Sequence, residues 1–268
     1  MEAQVANMAP RAGVSDARAQ ASPGQWGRRL KRALIGVSAV VSALYAAEWT
    51  WIQSGSNQWE LQKDERGAQI YTMKSPGSAM VKIRGVVQSK EFSLSNHLAP
   101  FLDASIQDDC AKWVEGCIRY QVIKPFDPRT QSNVTMWTVA VFPPFMPREF
   151  LLQGTLSQDP LTKVVTLENI AVPNKLPQND CCVRLTHVHN VWRYEPMADG
   201  TIKVEFLSDL DMGGSFPKIL LNLGAPGEIH KMLTVDNPKQ LRQEKYRKAS
   251  LDFIDEGKPG PTKPGSAP

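Results

Sequence analysis

Hydrophobic and polar positions alternate from Val183 to Trp192. Val183, Leu185, His187, His189 and Val191 fall on one side, and Arg184, Thr186, Val188, Asn190 and Trp192 on the other. A period of two over this length predicts a strand with two different faces. Asp199-Gly200 predicts a hairpin turn, because both residues tolerate positive φ. The return strand sets Ile202, Val204 and Phe206 on one face. Gly213-Gly214 then breaks the strand, Ser215 is placed to cap a helix, and Pro217 falls near its first turn. Met212, Phe216, Ile219, Leu220, Leu223, Ile229 and Leu233 recur at helical spacing and predict one apolar helical face. A long hairpin delivering an apolar helix builds a sheet that grips a helix. A grip that does not close fully leaves an apolar cavity.

The same two periods parse the rest of the chain. WELQKDERGAQIYTMK predicts two strands turning at Arg66-Gly67, and Ala79 to Gln88 a third. Leu94, Leu98, Phe101 and Leu102 predict a short helix over 93–103, and DDCAKWVEGC a second short helix or a loop. Strands are expected over Cys117–Lys124, Val134–Phe142, Glu149–Ser157, Lys163–Ala171, Val183–Tyr194 and Thr201–Ser208. Trp137, Val139 and Val141 on one strand, and Val165 and Leu167 on another, are assigned to the inner face. Strands and small helices followed by one long helix form an α+β pattern rather than alternating βα units. A sheet of about nine strands is too wide for one helix to cover flat, so it is expected to curl around it.

The N-terminal part is different. Residues 1–32 form a basic segment with no apolar period, expected to be disordered. They hold Arg11, Arg18, Arg28, Arg29, Lys31 and Arg32 against Glu2 and Asp16, which accounts for the whole net charge of +4. The other 236 residues balance, with 25 of each sign, so nucleic-acid binding has no electrostatic support. Residues 33–52 predict a transmembrane anchor or a signal sequence. The uncharged run 33–47 follows a basic flank, and extension to Ile52 supplies the ~20 residues of a span while including Glu48. Trp49 and Trp51 fall where indole rings favour the interface. Small residues are missing from the best cleavage positions, which favours the anchor. The positive-inside rule then leaves the domain outside the cytoplasm, or free in the periplasm if the segment is cut.

Over about 57–246 the chain resembles the START domain, the steroidogenic-acute-regulatory-protein-related lipid-transfer family, in its bacterial form. The resemblance rests on WEL…DERGAQIY, the Trp113…Cys117–Val122 passage, PPFMPREFLLQGT at 143–155, VHNVWRYEP at 188–196 and DMGGSFPKILLN at 211–222. The acid after the arginine of the central motif is Glu149, where the family usually has Asp. The resemblance implies a helix-grip fold: a curved antiparallel sheet around a long C-terminal helix that closes an apolar cavity for one lipid or sterol. Residues 247–268 are expected to be a flexible Pro/Gly-rich tail.

Several residues are candidates for contact with such a ligand. Arg119 shares a strand face with Cys117 and Gln121 and would hold a polar head if that face is inward; otherwise it is a surface arginine. Arg148 and Glu149 are adjacent, so they point to opposite faces; one borders the cavity, or both serve ion pairs with a neighbouring strand. Trp137 and Val139 line the wall, His187 and His189 form a polar stripe on it, and Phe216, Ile219, Leu220 and Leu223 face it from the helix. Two histidines at i, i+2 would hold a metal with a third ligand from another strand, but nothing local supplies one, so neither metal nor cofactor is expected. Asn133-Val134-Thr135 matches a glycosylation sequon, relevant in a eukaryotic secretory route. Of the four cysteines, Cys110 and Cys117 are within reach if the loop turns back, while Cys181 and Cys182 are adjacent and bridge only with strain; free thiols are favoured over one disulfide. The leading functional expectation is a membrane-associated, non-enzymatic lipid carrier, with a membrane surface as its other partner. The alternatives are a helix-grip enzyme of cyclase or hydrolase type, using His187, His189, Arg119 and Glu149 for acid–base work, and a tethered lipid sensor.

Overall fold

A computed structural model describes residues 23–257 apart from Ser215 and Pro217, and without the side chains of 23–28 and Leu220. The chain divides at Thr50/Trp51 into two units. The apolar segment lies in one helix, α1 (Pro23–Gln53), whose described side chains up to Thr50 are all exposed. Its stretch Arg29–Gln53 has a mean hydropathy of 1.4 in its most apolar window. The helix is long and apolar enough to cross a membrane, as a signal or an anchor would be.

The second unit is built on a ten-stranded sheet: β1 (Trp59–Glu65), β2 (Ala68–Lys74), β3 (Val81–Ser89), β4 (Cys117–Asp127), β5 (Ser132–Val139), β6 (Arg148–Gln158), β7 (Val165–Ala171), β8 (Val183–Arg184), β9 (His187–Pro196) and β10 (Ile202–Asp211). The order across the sheet is β1-β2-β3-β10-β9-β7-β6-β5-β4, all antiparallel, with β8 added in parallel beside the start of β6. The expected single strand over 183–194 is thus two. The chain leaves β6 after Arg184 and begins β9 at His187 beside β10 and β7. Asp199 and Gly200 make the expected turn, with Gly200 at φ +80° and Asp199 accepting from the Thr201 backbone and hydroxyl.

Helices close the inner face. Helix α2 (Leu94–Leu102) starts at Ser93 in a reciprocal capping box with Asn96. The Glu256 carboxylate takes the Leu94 and Ser95 amides at 2.8 and 2.9 Å, so a residue from the far end of the chain completes this cap. Short 3₁₀ turns cover 104–112. The C-terminal helix is segmented: α3 (Lys218–Lys231), a π-helical turn over 232–236, α4 (Asn237–Leu241) and α5 (Glu244–Arg247). Within 247–257 the expected tail packs: Leu251, Phe253 and Ile254 lie against the core, and Phe253 stacks on Phe126 with ring centroids 5.4 Å apart, while 258–268 lie outside the described residues.

The core joins Ile70, Ile83, Leu94, Leu98, Leu156, Val165, Leu167, Trp192, Phe206, Ile229 and Leu233. At Gly85 of β3 the helical layer approaches the sheet backbone closely. A Cβ there would lie 2.4 Å from Leu233 Cδ1 and 3.2 Å from Ile229 Cγ2. Gly85→Val is expected to cost about 1–3 kcal/mol by overpacking. The check is the urea midpoint, with Gly85→Ala giving a smaller drop, because a single methyl displaces the tip of Leu233 and asks only a few tenths of an ångström of Ile70 and Ile229.

Two disulfides are present, Cys110–Cys117 and Cys181–Cys182, and no described cysteine is free. This corrects the expectation of free thiols. The 3₁₀ turns bring Cys110 and Cys117 to a Cα separation of 5.7 Å, within the ordinary range of a bridge, and the adjacent pair closes its own small ring.

Candidate functional site

Between the sheet and the helices lies a partly open space in two compartments. The larger, about 280 Å³, is walled by α2, the 104–114 turns, β4–β7, β9 and α4, with Leu98, Phe101, Trp137, Leu156, Leu167 and Trp192 among its lining. The smaller, about 220 Å³, lies under α3, against Ile83, Leu210, Leu221, Ala225 and Ile229. Asn190 and Phe206 border both compartments. Aromatic rings shape the wall: Trp192 packs on Phe206 with centroids 4.3 Å apart, and Tyr120 on Trp137 at 4.2 Å.

None of the described residues lining the larger compartment is Asp, Glu, Lys or Arg. Its one imidazole, His97 on α2, sits between Phe92 and Tyr194 at 5.7 and 5.2 Å. Burial lowers its pKa to about 4, opposed only in part by the Glu256 carboxylate, so the ring is neutral at pH 7. Its Nε2 is buried without a protein partner. Burial also pushes the Tyr120 hydroxyl up to about 12. At the rim, Asp103 would be raised by burial, but hydrogen bonds from Lys245, Tyr246 and Ser105 prevail and hold it well below the usual carboxylate range. That cluster ties α5 to the end of α2.

The residues expected at the ligand distribute unevenly. Trp137 lines the larger compartment. Val139 is half-buried at the end of β5, opposite Cys117, beyond the lining. Arg119 is exposed, which corrects its inward assignment. A bulge sets Cys117 opposite Val139 and Arg119 opposite Thr138, so parity slips and the guanidinium points to solvent. His187 and His189 are on the outer face, bonded to Asp209 at 2.9 Å and to Glu168 at 2.7 Å. The inner face of β9 is the other one, carrying Val188, Asn190, Trp192 and Tyr194.

Arg148 and Glu149 are 2% and 1% exposed, yet neither lines the cavity. Arg148 donates to the carbonyls of Met146, Met212 and Gly213 and lies over the Phe216 ring. It fastens the turn that leads into α3. Glu149 pairs on the outer face with Arg184 of β8, at 2.7 Å to Nε and 2.6 Å to Nη2. Phe216 is buried among Phe142, Phe145 and Arg148 rather than in the cavity. Ile219 and Leu223 are 66% and 74% exposed, so this part of the helical face chosen from the sequence points outward, whereas its Ile229 and Leu233 are buried in the core. The face against the sheet is Leu221, Ala225 and Ile229, at i, i+4 and i+8. Of Leu220 only the backbone is described, within α3, and the expected cap at Ser215 and first-turn Pro217 lie outside the described residues.

Sequence reasoning passed over Asn190 and Asn169, which face the cavity, and Asn133, which it saw only as a sequon. The available signal was a polar residue interrupting an otherwise apolar inner face on three separate strands. Asn133 faces the interior and is not placed as a glycosylation acceptor.

This architecture is shared with solved START structures. A STAR-related lipid transfer protein from Xanthomonas axonopodis has a TM-score of 0.60 at 23% identity, covering 69% of this chain and 99% of that one. The human StarD13 lipid transfer and protein localization domain gives 0.56 at 16% identity, over 76% and 96%. Human StAR-related lipid transfer protein 5 gives 0.55 at 14% identity, over 78% and 99%. An uncharacterized protein of Pseudomonas aeruginosa is 24% identical over 170 residues, 62% of this chain and 79% of that protein. No protein-family model matches the chain. The motif resemblance and the structures agree on the START helix-grip fold; at these identities the likeness speaks for the fold alone.

Proposed function

We propose that this protein is a non-enzymatic carrier of one lipid or sterol-like molecule, held in the cavity between sheet and helices. The observation that carries this reading is the apolar space between sheet and helices itself. Close-packed interiors leave few voids larger than a water molecule, and two compartments of about 280 and 220 Å³ side by side exceed that allowance. Burial of the ligand's apolar body would supply the affinity, at ~25 cal/mol per Å². The START fold supports the reading. The four acid–base candidates read from the sequence, Arg119, Glu149, His187 and His189, do not line the cavity. Residues 57–246, with the packed continuation to 257, form the binding domain. The basic residues in the first turns of α1 and the two disulfides support an extracytoplasmic site, with α1 as its membrane anchor.

Ligand exchange requires α3 to part from β3. The latch is Asn222, which accepts from the Val81 amide at 3.1 Å and donates to the Ala79 carbonyl at 3.0 Å. Asn222→Leu is expected to speed ligand release severalfold while changing equilibrium affinity less, because the latch does not touch most of the cavity. Stopped-flow displacement of a fluorescent lipid reads the rate. An unchanged rate would move the gate away from α3.

The carrier reading itself is tested by native mass spectrometry of the full chain released from its host membrane. A discrete bound mass is expected. A clean apo mass that persists after incubation with the host's lipid extract would sink it.

A further inference from the structure

The inner face of the sheet carries a row of uncharged polar side chains at one level. Asn133 of β5 is opposite Gly154 of β6, Gly154 opposite Asn169 of β7, Asn169 opposite Asn190 of β9, and Asn190 opposite Ser208 of β10. Five neighbouring strands make a row roughly 19 Å long at ~4.8 Å per strand. All five residues line the two compartments. Gly154 makes the row possible: a Cβ there would lie 2.4 Å from Asn133 Oδ1 and 3.1 Å from Asn169 Oδ1, so two amide oxygens converge over the bare backbone. Asn190 stands where the compartments meet, and its Oδ1 is buried with no protein partner.

An unpaired buried acceptor is costly, and the cost is recovered when a donor arrives. The walls on either side of the row are aromatic and aliphatic, with no charged side chain in the larger compartment. In the smaller one the single charged residue, Glu228, is exposed at the surface end. A phosphate, sulfate or carboxylate in this space would be desolvated without a counter-charge. Amide oxygens instead suit a hydroxyl or an N–H.

Resting on the carrier reading above, we propose that the Asn133–Asn169–Asn190–Ser208 row is a polar subsite selecting an uncharged amphiphile, one apolar body bearing a hydroxyl or amide N–H donor that bonds Asn190 Oδ1. Two compartments of this size are at the low end of pockets for a single drug-sized body, about 300–1,000 Å³, which fits one compact molecule better than a two-chain phospholipid.

The test uses one fluorophore in three forms: 1-pyrenebutanol, its methyl ether and 1-pyrenebutyrate, titrated at pH 8 against the full chain in lipid nanodiscs. Energy transfer from tryptophan reports binding, since Trp137 and Trp192 line the cavity. The alcohol is expected to bind roughly tenfold or more tighter than the ether and the carboxylate. Asn190→Leu, close in volume, is expected to bring alcohol and ether to within about twofold of each other while the ether still binds. A carboxylate that binds as tightly as the alcohol overturns the proposal, and so does an alcohol preference unchanged in Asn190→Leu. The wild-type ratio stands as a test even where the variant fails to fold. If none of the three binds, the host-lipid adduct in native mass spectrometry decides: an uncharged species supports the subsite, and a phosphate- or carboxylate-bearing one overturns it. Absence of any adduct removes the carrier reading and this one together.

Discussion

Glu149→Ala is expected to destabilise the domain by about 3–5 kcal/mol, roughly 10 °C in Tm. Glu149 and Arg184 are 1% and 7% exposed, and their side chains meet at 2.6–2.7 Å. The arrangement is fully bonded. Asn179 Nδ2 donates to the second carboxylate oxygen at 3.1 Å, and Arg184 also donates to the carbonyls of Pro173, Leu176 and Pro177. Removing the acid leaves a buried guanidinium with only neutral acceptors, and that uncompensated charge dominates the cost. The pair also holds the 173–184 segment over the outer face of β6, where Val172 and Leu176 cover Leu151, Val134 and Met136. The double variant Glu149→Leu/Arg184→Met, which removes both charges, is expected to recover most of the loss. Urea unfolding of the two variants gives the comparison. A single variant within 1 kcal/mol of the parent would mean that the pair is solvated and contributes little.

Acidification from pH 7 to pH 4.5 is expected to cost up to about 3 kcal/mol through His97. Its pKa in the fold is about 4, against about 6.5 for an ordinary histidine, chiefly because burial between Phe92 and Tyr194 penalises the charged ring. A pKa lower in the fold than in the unfolded chain means that the unfolded chain takes up the proton first. The contribution is therefore fully present above about pH 6.5 and is lost progressively as pH falls toward 4. Asp103 does not share this window. Its depressed pKa gives stability that is present above the ordinary carboxylate value and lost at lower pH. His97→Gln is expected to flatten stability between pH 6.5 and 4.5 while lowering the plateau through imperfect packing. Denaturant midpoints at four pH values across the window check this. A parent slope that survives in His97→Gln would assign the titration elsewhere.

Much of the architecture was legible because it is local. Period-two alternation marked the main strands. Asp199-Gly200 marked the last hairpin, and the spacing Leu94, Leu98, Phe101, Leu102 marked α2. These signals depend on φ/ψ preference and on one residue's neighbours two to four positions away. The succession of strands and one late apolar helix was enough for an α+β sheet gripping a helix, and the motifs for its START character. The apolar run after RRLKR was likewise legible as a signal or an anchor, since it depends only on length and charge.

The site was mostly hidden, and the reasons are specific. Strand alternation separates two faces but does not say which is inward: over 183–192, read as one strand, Val183, Leu185 and Val191 favoured the histidine face, whereas Trp192 goes inward because Phe101, Tyr194 and Phe206 are there to receive it. A bulge in β4 turned Arg119 outward, and a bulge has no strong signature in one strand's own sequence. Apolar residues occur on both sides of α3, so Ile219 and Leu223 matched helical spacing with Ile229 as well as Leu221 and Ala225 did. The partner of Glu149 is 35 positions away, across a parallel contact that no pattern announces. What the sequence by itself determined were the elements, their order and the presence of an apolar interior, all set by short-range preference and composition. Only the tertiary structure decided which side chains look into that interior, because inward and outward are defined by what packs on the other side.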